Sequence, residues 1–192
     1  CKPLSMVESN INMERTDAMD SKIKALIDLY QFTPLPAEGT LFVSTWRSIQ
    51  EFADGSPVGT AMIGMYCNEP FSRSVFHRLP VDEVWHFYGG DPLRLILLHP
   101  DGSSQEVIMG ADPLAGHLVQ YVVPAGVWQA GCLMQGGSYA LFGCTVSPGF
   151  TGSMYEGGKR GDLLSAYPDR VNDIRSLTAE DDQTHMPEGF AK

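Results

Sequence analysis

The chain has 192 residues and is 43% hydrophobic, enough for one domain with a substantial core, and its 20 Gly and 13 Pro suit short strands joined by turns. A net charge of −10, from 23 acidic against 13 basic residues with no Lys/Arg cluster, argues against nucleic acid and against an anionic membrane surface as partners. No apolar run approaches the roughly 20 residues that span a bilayer, and the four cysteines (Cys1, Cys67, Cys132 and Cys144) contain no CxxC pair, so they read as reduced core thiols of a cytoplasmic protein.

Along the chain, residues 1–19 read as a polar arm without periodicity. Ile23, Leu26, Ile27 and Tyr30 then fall at helical spacing behind Asp20 or Ser21 as a cap, which predicts a helix near 20–31. "TPLPAEG" (33–39) ends it, because proline cannot continue the hydrogen-bond ladder. Nine short runs bounded by Gly, Pro or Asp follow as strands: 40–48, 58–66, 74–79, 82–88, 92–99, 104–110, 117–124, 127–134 and 138–146. "HPDGS" (99–103) reads as a hairpin turn. The spacing predicts a mainly β, antiparallel barrel or jelly roll behind one leading helix, over residues 20–170. "GDLLSAYPDR" (161–170) reads as an amphipathic turn or short helix, and residues 171–192, polar and acidic, as a frayed tail in which His185 is solvated.

The densest chemistry lies in "FHRLPVDEVWHFYGG" (76–90). Strand side chains alternate faces, so Glu83, Trp85 and Phe87 share one face, and Val84, His86 and Tyr88 the other. His77 and Leu79 also share a face. With Glu83 pointing into the barrel, His86 points out, unless a bulge between them turns the imidazole inward. A carboxylate and an imidazole facing one apolar pocket form an acid/base pair: His77 and Glu83, with His86 if it turns in. Trp85 and Phe87 would supply apolar walls for a ring-shaped ligand, and Tyr66 is a further wall or core residue. Arg47 would reach an anionic group on that ligand. The alternative is a His77–Glu83 contact that is purely structural.

These blocks resemble a family. Cupins carry two histidines one residue apart, then a glutamate and a turn glycine, and later a Pro-x-Gly turn followed by a third histidine. Here His77, Leu79, Glu83 and Gly90 fall on the first motif, and Pro124, Gly126 and Gln129 on the second. "FHRLPVDEVWHFYGGDPL", "VPAGVWQAG" and "GCTVSPGF" (143–150) are similar to the single-domain branch of unassigned function, cupin family 5, over roughly residues 22–170. The resemblance implies a double-stranded β-helix barrel and a homodimer. It also implies a small-molecule ligand inside the barrel.

Two chemistries are compatible with that resemblance. In the first, His77 and Glu83 work without a cofactor as acid/base groups in an isomerisation, epimerisation, cyclisation or elimination. Gln129, Trp85 and Phe87 then position the substrate. In the second, a divalent metal (Fe, Zn, Mn or Ni) is held loosely by His77, Glu83 and the Gln129 amide oxygen in an oxygenase or lyase, since Leu79 cannot ligate. A third reading is a ligand-binding or storage barrel without catalysis.

Overall fold

The computed structural model describes residues 21–179 and 183–191, so the polar arm expected over 1–19 lies outside the described residues. The chain divides into two units, one ending at Phe32 and the other beginning at Thr33. In the first, helix α1 spans 21–30; Ile23 is buried and Leu26, Ile27 and Tyr30 are partly so, the four positions the helical spacing selects. The Phe32 amide donates to the Ile27 carbonyl, and Gln31 takes a positive φ of 54° where the helix ends.

The second unit is two antiparallel sheets. The six-stranded sheet runs β1 (Thr33–Pro34), β2 (Leu41–Arg47), β3 (Thr60–Cys67), β10 (Tyr139–Val146), β5 (Glu83–Gly90), β8 (Gln120–Val123). The five-stranded sheet runs β11 (Glu156–Gly157), β4 (Ser74–Arg78), β9 (Trp128–Leu133), β6 (Leu93–Leu98), β7 (Ser104–Met109). All nine predicted strands are present, in a jelly roll preceded by a helix. The β6–β7 hairpin closes with the His99 amide on the Ser103 carbonyl, and Gly102 carries its positive φ of 87°.

The strand period separates two cores. Leu93, Leu95 and Leu97 of β6 face between the sheets, with Tyr66, Trp85, Val107, Met109 and Phe142. Ile96 and Leu98 face the other way and pack with Phe76 and Ala130 under α2 (Arg160–Ala166) and α3 (Val171–Ser176). That second layer corrects the expectation of a frayed tail after residue 170. Ile174 is fully buried and Leu177 nearly so, and Arg94 of β6 donates to Asp173 of α3. Ile174 and Leu177 suffice to hold this stretch because the outer face of β6 and β9 offers them a ready surface. His185 is exposed, as expected, beside the Thr184 hydroxyl.

Candidate functional site

The space between the sheets opens at one end into a cavity of about 330 Å³. Its walls are largely apolar: Leu35, Phe42, Met62, Leu79, Trp85, Val146, Phe150, Tyr155 and Phe190. Three ionisable groups, Glu38, His77 and Glu83, line it while remaining more than nine-tenths buried, and Arg47 and Cys144 line it as well.

Local irregularities aim these groups. In β4, Ser74 pairs with Gly131 and His77 with Gln129, three residues against two, so a bulge turns both Ser74 and His77 inward while Phe76 faces the helices. A second bulge in β2, between Ser44 and Trp46, switches parity so that Phe42, Ser44 and Arg47 all reach the cavity. Glu38 arrives from the β1–β2 loop. Positive φ at Ala37 and Gly39 (61° and 91°) and the Leu35 amide on the Thr40 carbonyl fold that loop tightly. The Val75 amide donates to the Glu38 carbonyl, tying the loop to β4.

His77 donates from Nδ1 to the Val75 carbonyl at 2.9 Å, which leaves the lone pair of Nε2 facing the cavity. Its ring stacks on Tyr155 at 5.2 Å between centroids. Nε2 lies 3.9 Å from Glu38 Oε2, beyond hydrogen-bond reach. Glu38 Oε1 accepts from the Thr40 and Ser74 hydroxyls, and the Ser74 hydroxyl also meets the Tyr66 phenol at 2.5 Å. Glu83 accepts from Gln129 Nε2 at 2.6 Å, and Gln129 Oε1 in turn accepts from the Trp85 indole at 2.9 Å. Burial pushes the Glu83 carboxyl above the usual glutamate range; His77 opposes that shift and the Glu38 charge adds to it. Burial and the charge of Glu83 likewise raise the Cys144 thiol well above its ordinary value, so it stays protonated and inert.

The structure brings together His77, Glu83, Trp85 and Arg47 around one cavity and leaves four predicted site residues, His86, Phe87, Tyr66 and Gln129, elsewhere. His86 is turned outward. Its ring nitrogens meet Thr145 Oγ1 and Gln120 Nε2, each at 3.2 Å, and its ring lies parallel to that of the exposed Tyr88. A bulge does exist in β5, but Phe87 opposes Phe142 and Gly89 opposes Leu141, so the extra residue is Tyr88. It falls after His86 and cannot turn it in. Phe87 and Tyr66 belong to the packed core between the sheets. Gln129 is a clamp on Glu83 and Trp85, not part of the cavity wall.

The metal set of His77, Glu83 and Gln129 does not fit this arrangement. The Gln129 amide oxygen is taken by the Trp85 indole, and Leu79 lines the cavity where a further imidazole would be needed. Among the described residues no three His, Cys, Asp or Glu side chains are disposed to hold a metal ion. Glu38 and Tyr155 escaped the sequence reading because both sit in loops, where alternation is silent. The one signal for Glu38 was an acid set between Pro36 and Gly39 in a segment otherwise built to turn.

The comparisons agree with this architecture. A protein from Shewanella oneidensis of known structure matches with a TM-score of 0.74 and 29% identity, over 81% of this chain and 96% of its own. A hypothetical protein from Leishmania major matches with a TM-score of 0.72 and 27% identity, over 82% and 98%. No curated protein matches. The family model described as cupin superfamily (DUF985) matches residues 24–157, most of the chain and every strand from β1 to β11. The chain therefore belongs to the DUF985 family of the cupin superfamily.

Proposed function

We propose that the protein binds a small metabolite in this cavity and catalyses proton transfer on it, with His77 and Glu83 as the acid/base pair. The observation that supports the reading is the placing of three buried ionisable side chains on one patch of an otherwise apolar cavity of about 330 Å³. Burying such groups is costly, and sites that do so shift protonation toward useful values. With Nδ1–H on the Val75 carbonyl, the neutral His77 ring has its lone pair on Nε2, the atom that faces the cavity and can accept a proton. Burial favours the protonated form of Glu83, so it donates one.

A proton taken from one atom of the substrate by His77 and returned by Glu83 to another atom is an isomerisation; returned to the opposite face of the same atom, it is an epimerisation. If a group leaves or closes on the chain between the two transfers, the result is elimination or cyclisation. Gln129 fixes the Glu83 carboxyl from behind, and Trp85 and Tyr155 give flat walls against which a ring can stack. Arg47 lines the same cavity, with one guanidinium nitrogen donating to the Phe150 carbonyl. It would receive an anionic end of the substrate. No step needs a metal.

The test is to incubate the full chain with a panel of cyclic metabolites in D₂O and follow solvent-derived deuterium and new species by NMR. Turnover by the wild type that is lost in His77→Asn and in Glu83→Gln, with both variants folded, supports the reading. Binding without turnover in the wild type would make the protein a ligand-binding barrel.

A further inference from the structure

The hydrogen-bond inventory of the cavity's polar patch is unbalanced. Glu38 Oε1 accepts both nearby hydroxyls, from Thr40 and Ser74, while Oε2 has no donor among the described residues. Facing it at 3.9 Å is His77 Nε2, which carries the lone pair whenever the ring is neutral, because Nδ1–H is committed to the Val75 carbonyl. Two acceptors thus border the same cavity with nothing between them to share, and both residues are more than nine-tenths buried. Among the described residues the His77 imidazole is the one basic group within ion-pairing distance of Glu38, and with that ring neutral the carboxylate has no cation. A buried carboxylate left without a cation is expensive, and a partner that brings one recovers much of that cost.

A ligand hydroxyl has one hydrogen and satisfies only one of the two acceptors. An ammonium has several and is charge-assisted toward the carboxylate. The surrounding walls suit it, since Tyr155 stacks on His77 itself and Trp85 and Phe150 line the same space. Aromatic faces attract cations that have lost their water.

We infer that the ligand of this cavity is a small organic amine, with its ammonium between Glu38 Oε2 and His77 Nε2 and its apolar body against Trp85, Tyr155 and Phe150. This rests on the cavity being the ligand site, and it makes nitrogen the substrate atom that faces His77. The amine is recognised by charge and donor count, and the walls select for an apolar ring or chain behind it.

Three probes of one shape test it: benzylamine, benzyl alcohol and toluene, titrated into the full chain by calorimetry and followed through the His77 imidazole ¹⁵N signals. Benzylamine should bind at least about tenfold more tightly than benzyl alcohol, the difference expected of a hydrogen bond to a charged group. It should also shift the His77 signals, which toluene should not. Glu38→Gln should remove most of that preference, weakening benzylamine more than benzyl alcohol. Equal or tighter binding of the alcohol, binding of none of the three, or amine binding with no change at His77 each overturns the inference; none needs a variant to fold. Amine preference without turnover would sink the catalytic reading alone, and turnover without amine preference would sink this inference alone.

Discussion

The two ends of the space between the sheets are built from the same strands and filled in opposite ways. At one end Gly64 and Gly131 have no side chain, and the rings of Phe142 and Tyr66 move into the room they leave. A methyl group on Gly64 would fall 2.6 Å from Phe142 Cζ. At the other end β3, β5 and β10 present Met62, Glu83, Trp85, Cys144 and Val146, and a cavity of about 330 Å³ stays open. Moving two to four residues along each strand converts a packed core into an open cavity. The lesson is that the jelly roll concentrates stability at the closed end, which lets the open end hold groups that are costly to bury.

The largest effect should come from opening the closed end. Phe142, fully buried and stacked between Trp85 and Tyr66, should cost about 3–5 kcal/mol when replaced by Ala, read as a lower urea midpoint with an unchanged slope. Gln129→Leu tests the boundary between the ends. It leaves the Trp85 indole N–H buried without an acceptor and removes the donor to Glu83, at about 1–3 kcal/mol for each group orphaned. A thermal melt within experimental error of the wild type would show that the clamp is not formed. Gly64→Ala should cost about 1–3 kcal/mol by overpacking against Phe142, a stiff ring that cannot step aside.

The open end should reveal itself through pH. Because burial raises the Glu83 carboxyl above its ordinary 4.5, the folded chain holds a proton there that the unfolded chain has released. Stability therefore falls as pH rises from about that ordinary value through the raised one, and levels off above it. The stability difference between wild type and Glu83→Gln should drift in that direction across the window, and a flat difference would mean that burial does not raise the Glu83 carboxyl. The smallest effect belongs outside both regions. Arg78 and Glu156 pair through two hydrogen bonds of 2.8 Å on the exposed surface, and Glu156→Gln should cost less than about 1 kcal/mol and less still in high salt.

How much of this was legible in the sequence differs by region. Alternation in "LRLILLH" and "EVWHFY" marked the strands and placed Glu83 and Trp85 on one face, which holds. The same reasoning left His86 outward, and the bulge that would have reversed it sits two residues too late. His77 faces inward because of a bulge in β4 that no periodicity announces. Gln129 was placed at a ligand position by motif, yet its amide is consumed by Trp85 and Glu83, since a buried amide takes the partners nearest to it. The segment after residue 170 looked too polar to fold because composition averages over the few side chains, Ile174 and Leu177, that find a face to cover.

The sequence alone determined the strand order of elements, the leading helix and the membership in a β-barrel family, because these follow from side-chain period, turn residues and long ordered motifs. Tertiary structure decided how the candidate site is assembled. Glu38 comes from a loop, His77 from a bulged strand, Glu83 from the facing sheet and Tyr155 from a segment with no pattern. Their meeting depends on where two sheets close and where they stay apart, which is set by packing across the barrel and is not written in any local stretch of chain.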